Sequence, residues 1–459
     1  MPTPTLTRRT ALGAAAALFA GSRSWAQSRP DPAGAPRVFD LVLEHRTVDV
    51  TGTRRPAMVI NGQLPAPALR FREGEEVIVN VTNRLREETS IHWHGLLLPS
   101  GQDGVPGISD GFQGIAPGAT HQYRFPLIQA GTYWYHSHSA TQEQSGIYGP
   151  IVIEPRRPDP FGYERDYIVE LSDWTDENPA AVIANLKRDP SYYNYSRRTA
   201  ASLVRDIGKP SADPAALVKD RLMWADMRMD PTDIEDVTGY TFLVNGLSPE
   251  RNWMAQFRFG ERIRLRFINS AAMTHFDMRI PGVRMTVVQA DGNNVEPLVV
   301  DEFRLAPAET LDVIVRPAGA EQFQILGESM GRQGFARLTL ATREGLPPLP
   351  LPAHRPRPVL TMGDMGMPAS TPGADRGTHR PETDRPGHVA PMGDMGGGMG
   401  GISGMDHSAM AMPGMDHSAM SMPGMDHSAM AMPDPFTQDV GAPAGARVLS
   451  YRDLRALAN

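Results

Sequence analysis

Two short motifs place histidines at the same spacing: Ile91-His92-Trp93-His94-Gly95 and Trp134-Tyr135-His136-Ser137-His138-Ser139. On a β-strand, residues i and i+2 face the same side. Each motif therefore projects two imidazoles in one direction, about 6–7 Å apart along the backbone. If the two strands are neighbours, His92, His94, His136 and His138 converge on one pocket while Trp93 and Ser137 point elsewhere. Imidazole clusters take Cu, Zn, Fe or Ni, and no carboxylate is interleaved to favour a harder ion. A single His-x-His is more often two partly buried structural histidines. A strand-borne pair can also supply two ligands to a mononuclear zinc. Two copies within about fifty residues, each flanked by aromatics, weigh against a structural role and leave zinc open.

A second group of soft donors lies far downstream. Gly-Met-Asp-His-Ser-Ala-Met-x-Met-Pro occurs three times at a period of ten, from Gly404, Gly414 and Gly424. It presents Met405, His407, Met410 and Met412, then Met415, His417, Met420 and Met422, then Met425, His427, Met430 and Met432. Thioether sulfur prefers Cu(I), and imidazole serves either oxidation state. Met362-Gly363-Asp364-Met365 and Met392-Gly393-Asp394-Met395 add further sulfur. The stretch from about Glu344 to Pro433 is dominated by Pro, Gly, Met, His and Asp, so these methionines cannot be core residues. A weak, multi-site copper-collecting strap is expected. His45, His121 and His275 lie in strand-like surroundings, and His354, His379 and His388 in the biased stretch; structural or solvent-facing roles are expected for all of them.

The elements that must carry the histidines are β-rich. From Arg37 to about Pro155, short runs such as Glu76-Val77-Ile78-Val79-Asn80-Val81 and Gly149-Pro150-Ile151-Val152-Ile153-Glu154 alternate with turns such as Asn61-Gly62 and Ala116-Pro117-Gly118. That pattern favours a β-sandwich. A second set begins near Asp166, resumes at Tyr240 and closes at Val315. The two sets share an echo, a strand, then Asn-Gly, then a Phe-x-x-Gly-Glu turn: Asn61-Gly62 and Phe71 to Glu75 against Asn245-Gly246 and Phe257 to Glu261. Between about Trp174 and Met229 the second set carries an insertion, partly helical around Ala180 to Lys187.

At the amino terminus, Thr7-Arg8-Arg9-Thr10 precedes an apolar run from Ala11 to Ala20 and a small-x-small site at Ser24-Trp25-Ala26. The run is too short to span a bilayer. Paired arginines and a mild apolar core predict a twin-arginine export signal over residues 1–26, and hence the periplasm. The net charge of −7 argues against a nucleic-acid partner. The chain has no cysteine, so an exported form holds no disulfides and its domains stand on their own cores.

His-Trp-His-Gly followed by Trp-Tyr-His-Ser-His resembles the amino-terminal half of the multicopper oxidase signature. So do Asn61-Gly62-Gln63-Leu64-Pro65-Ala66-Pro67, Asp103-Gly104-Val105-Pro106-Gly107 and Gly149 to Ile153. The repeats and the leader narrow the resemblance to the copper-resistance protein A type. It implies an all-β chain of two tandem cupredoxin-like Greek-key β-sandwich domains, at 37–156 and 160–345. A disordered Met/His-rich segment would follow at 346–446, with its repeats at 404–433. It further implies copper as the cofactor, His92 as a type 2 ligand, and His94, His136 and His138 as type 3 ligands. Asp103 falls where related oxidases place an acid that relays protons to reduced oxygen.

The departure from the family pattern is equally specific. Its third domain supplies the type 1 site, a His₂Cys arrangement, and the other histidines of the trinuclear cluster. This chain has neither a cysteine nor a third His-x-His, and residues 447–459 read as the start of a linker to a missing domain. As a single chain it is expected to be an incomplete, inactive oxidase of Cu(I) or phenols, whose copper sites need a separate polypeptide carrying the third domain. The other reading is a non-catalytic periplasmic copper-sequestering protein. Neither involves a membrane span.

Overall fold

Alternation of side chains writes strands such as Glu76–Asn83, which buries Val77, Val79 and Val81 and leaves Ile78, Asn80 and Thr82 half-buried. The computed structural model describes residues 36–361 and 440–457. The leader expected at 1–26 and the repeats at 404–433 lie outside the described residues.

The first sandwich is made of β1 (Arg37–Asp49), β2 (Arg54–Ile60), β3 (Leu69–Arg72), β4 (Glu76–Asn83), β5 (His92–His94), β6 (Thr120–Pro126), β7 (Gly131–His136) and β8 (Tyr148–Glu154). Its sheets run β2-β1-β4-β6 and β3-β8-β7-β5. The second is made of β9 (Arg165–Trp174), β10 (Thr241–Val244), β11 (Trp253–Gln256), β12 (Ile263–Asn269), β13 (Phe276–Arg279), β14 (Met285–Ala290), β15 (Asn293–Val300), β16 (Glu302–Leu305), β17 (Thr310–Val315), β18 (Gln322–Ser329) and β19 (Phe335–Ala341). Its sheets run β10-β9-β12-β17-β14-β15 and β11-β19-β18-β13-β16. Each sandwich has one parallel pair per sheet: β1 with β4 and β3 with β8, then β9 with β12 and β11 with β19. Parallel neighbours cannot be joined by a tight hairpin, so the chain crosses between sheets in the Greek-key manner. Phe39, Phe71, Trp93 and Phe125 fill one core, and Phe257, Phe267, Phe276 and Phe303 the other.

The sequence echo has a physical cause. Asn61 and Asn245 both adopt left-handed backbone, at φ 52° and 49°, which asparagine tolerates. Asn61 accepts from the Val42 amide (2.7 Å) and donates to the Asp40 carbonyl (2.9 Å). Asn245 repeats this with the Glu170 amide (2.8 Å) and the Ile168 carbonyl (2.9 Å). Glu75 accepts from the Arg72 amide and pairs with Arg37, while Glu261 accepts from the Arg258 amide and pairs with Arg165.

The insertion between β9 and β10 holds three helices, α1 (Pro179–Arg188), α2 (Ala200–Ile207) and α3 (Pro214–Asp226). The sequence reading anticipated α1 alone. The other two start at a Thr199/Ser202 capping box and at an Asp213 cap before Pro214.

The two sandwiches meet at β7. All three polar groups of Thr132 are held by the second sandwich: its amide donates to Gln289 (3.0 Å), its hydroxyl to Asp312 (2.9 Å), and its carbonyl accepts from Thr310 (3.0 Å). Asp312 also takes Arg264 (2.6 Å) and Arg266 (3.1 Å), whose side chains are only 2% exposed.

The flanks of the biased stretch are part of the second sandwich. Val440 and Leu449 are buried, and residues near Val448 and Ala456 bridge to β16 and β15. His354, read from sequence as lying in the linker, stacks on Phe335 at 4.5 Å and contacts Glu328 at 3.0 Å.

Candidate metal centre

Strands β5 and β7 are antiparallel neighbours, with His92 opposite His136 and His94 opposite Trp134. Trp93 points into the core against Tyr123 (5.3 Å) and Phe125 (5.4 Å), so alternation turns His92 and His94 to the other face. The glycine ending this motif is required: Gly95 has φ +82°, and a Cβ there would lie 2.9 Å from the Tyr133 ring. β7 ends at His136, so His138 leaves the sheet, its amide donating to the Ser90 hydroxyl (3.0 Å).

Three of the four imidazoles converge. Ligand nitrogens of His92, His94 and His136 lie within 4.8 Å of one another, the one such group among the described residues. His136 Nε2 is 3.4 Å from His94 Nδ1. Two nitrogens bound at 2.0–2.1 Å to one tetrahedral ion are about 3.3 Å apart. His138 stands beside them, its ring 5.7 Å from that of His92 and 6.0 Å from that of His136. The donor set is all imidazole, which fits copper or zinc.

The rings are held from behind. His92 Nδ1 faces the Asp103 carbonyl (3.0 Å) and carboxylate (3.3 Å), leaving Nε2 to the cluster. Gly104 makes this approach possible: at φ +83°, a Cβ would sit 1.8 Å from the Ile91 carbonyl oxygen. His136 Nδ1 faces the Glu143 carboxylate (2.8 Å) and the Ser137 carbonyl (3.0 Å). Trp134 stacks on His136 at 4.2 Å and 16°, and lies 5.0 Å from His94. Behind it pack Tyr148 and Ile268, the latter from the second sandwich.

Burial lowers the pKa of His94 to about 4, with the neighbouring imidazoles adding to the effect. Burial also lowers that of His92, against the pull of Asp103. Both rings are thus free bases at neutral pH, the form that binds metal.

Sequence reasoning located the histidines and Asp103 but not Glu143 or the backing by Trp134. The aromatic flank was visible; nothing in the sequence marks Glu143. His45 contacts Glu87 at 3.4 Å, and His121 packs on Tyr123 at 4.5 Å, both apart from the cluster.

Comparison with known proteins decides the family. Two multicopper oxidase family models match in tandem, over residues 43–158 and 165–339. The chain belongs to the multicopper oxidase family. Within it, the sequence is 51% identical over 375 residues to copper resistance protein A of Escherichia coli, covering 81% of this chain and 56% of that protein. It is 49% identical over 394 residues to a copper resistance protein A homologue of Pseudomonas syringae pv. tomato, covering 84% and 66%. The chain thus spans just over half to two thirds of these relatives. Among solved structures, a laccase from Botrytis aclada aligns at TM-score 0.53 and 27% identity, covering 70% of this chain and 56% of that one. A multicopper oxidase from Pseudomonas thermotolerans aligns at 0.50 and 26%, covering 70% and 68%. These multicopper oxidases have the same sandwich architecture, and the family implies copper as the cofactor. No helix among the described residues is long and apolar enough to cross a membrane.

Proposed function

We propose that this chain supplies the amino-terminal half of the copper centre of a periplasmic copper-resistance oxidase, which oxidises Cu(I) or phenols and reduces oxygen. The observation that carries this is the convergence of His92, His94 and His136 on one another's ligand nitrogens. In this reading His92 is a type 2 ligand and His94, His136 and His138 are type 3 ligands. Asp103, its carboxylate 3.3 Å from His92, relays protons. A chain without cysteine cannot build a His₂Cys electron inlet, so that inlet and the remaining ligands come from a polypeptide segment carrying a third cupredoxin domain. Without it, the chain binds copper and does not turn over. Export follows the twin-arginine route through residues 1–26.

A second reading, copper sequestration, draws on the threefold Met/His repeat over residues 404–433. One experiment separates the two: copper uptake and oxygen consumption by the full chain, with and without a polypeptide bearing the third domain. The oxidase reading expects turnover only in the combined sample, abolished by His94→Ala. No turnover in the combined sample, with copper uptake surviving His94→Ala and His136→Ala but not removal of 404–433, would establish the sponge.

A further inference from the structure

The carboxylate facing His136 sits in a purpose-built turn. Glu143 Oε2 lies 2.8 Å from His136 Nδ1, and the ring is 8% exposed against 27% for the carboxylate. Among the described residues, Glu143 has no arginine or lysine partner; its ion-pair contact is to the imidazole alone. The preceding residue, Gln142, is buried and anchors the turn from both sides. Its side-chain oxygen Oε1 accepts from the Thr89 (2.6 Å) and Ser137 (2.8 Å) hydroxyls, and its side-chain Nε2 donates to the Glu88 carbonyl (2.7 Å). Backbone bonds from Ser145 to Thr141 (3.0 Å) and from Gly146 to Glu143 (2.9 Å) close it. Glu143 is thereby swung back over the histidine that precedes it.

We infer that Glu143 is the positioning residue of His136. Its carboxylate, beside the Ser137 carbonyl that takes the ring hydrogen bond, keeps the proton on Nδ1 and so favours the tautomer whose Nε2 lone pair faces His94. It also makes that nitrogen a stronger donor to the metal. The inference rests on the reading of the cluster as a metal centre. A ligating imidazole commonly donates its other nitrogen to a carboxylate, and loss of such a partner typically weakens metal affinity 10–100-fold. The Ser137 carbonyl, 3.0 Å from the same nitrogen, takes the hydrogen bond but carries no charge, so the charge at Nδ1 comes from Glu143 at 2.8 Å. His92 differs: there the backbone carbonyl of Asp103 is the nearer partner and the carboxylate the farther. His136 is thus the ring whose carboxylate stands nearer than its backbone carbonyl.

The test uses the full chain with ¹⁵N-labelled histidine and Zn(II) as the probe metal, read at the His136 resonance so that donors elsewhere do not intrude. In the metal-free wild type, the Nδ1–H tautomer should dominate. Glu143→Ala should shift the population toward Nε2–H and weaken Zn(II) binding at His136 by about 10–100-fold. Glu143→Gln keeps an acceptor and loses the charge. It should retain the tautomer with an intermediate affinity, and it keeps the question answerable if the alanine variant misfolds. Wild-type tautomer and affinity in Glu143→Ala, or undiminished affinity in Glu143→Gln, would overturn the inference while leaving the metal centre standing. A wild-type His136 signal that ignores Zn(II) would bring down the metal-centre reading, and the inference with it.

Discussion

At the scale of single residues, the site depends on backbone as much as on imidazole. Gly104 lets the Asp103 carbonyl reach His92, and any side chain there would strike the Ile91 carbonyl. Gly104→Ala should therefore cost at least about 2 kcal/mol in denaturant unfolding and loosen metal binding at His92 together with it. Glu170 makes a different prediction. Wholly buried, with one oxygen bonded to Ser270 (2.8 Å) and the other without a partner, it has its pKa raised by desolvation to about 8. Between the ordinary carboxylate range and pH 8 the folded state holds a proton that the unfolded chain has released. Its contribution to stability is present at low pH and is lost as pH rises through that window. Urea midpoints of the wild type from pH 5 to 8 should carry this downward contribution, and Glu170→Gln should remove it; equal slopes in both proteins would refute the assignment. The histidines were legible in sequence because their spacing is the strand period, and Asp103 because its motif resembles that of related oxidases. Glu143 was not, because a contact closed by an irregular turn leaves no periodic trace.

At the scale of elements, β7 does two jobs. Its outer end presents Trp134 and His136, and its inner end is gripped through Thr132 by Gln289, Thr310 and Asp312. Asp312 neutralises two arginines whose side chains are almost wholly buried, although Arg264 keeps Asp159 and Arg266 keeps Asp166. Asp312→Ala leaves excess buried positive charge and should destabilise the protein by about 3 kcal/mol, with Asp312→Asn milder. Calorimetry or denaturant titration checks this, and a loss below about 0.5 kcal/mol would mean that the remaining partners suffice. Strands such as β4 alternate in burial, whereas β7 and β19 are buried at every position, and the echo of Asn61 and Asn245 announced a repeated sandwich. Helices α2 and α3 announced themselves only at their caps, which stand out once the helices are known. The pairing of β5 with β7 was a condition of the sequence reading rather than its product, since register between strands some forty residues apart is decided by packing.

At the scale of the whole molecule, composition marked where the biased stretch begins and placed the return of order at Arg447, whereas Val440 is already buried. Leu449 joins the second core, and Val440 offers its carbonyl to both Arg355 (2.8 Å) and Arg332 (2.9 Å). Arg355 is in turn paired with Glu302. Arg355 and Val440, on either side of the biased stretch in sequence, thus meet at one arginine clasp on the second sandwich. Closure entropy varies only as the logarithm of the length of chain between two joined points, so shortening the sequence between them should raise stability by less than about 1 kcal/mol. Excision of residues 404–433 should therefore leave the thermal midpoint within a few degrees of wild type. It should also leave Zn(II) binding at His136 unchanged. What should fall is the amount of Cu(I) taken up, since the excised residues carry three sets of thioether and imidazole donors. Unchanged Cu(I) uptake would mean that the repeats are a spacer; a collapsed midpoint would mean that they contribute to the fold.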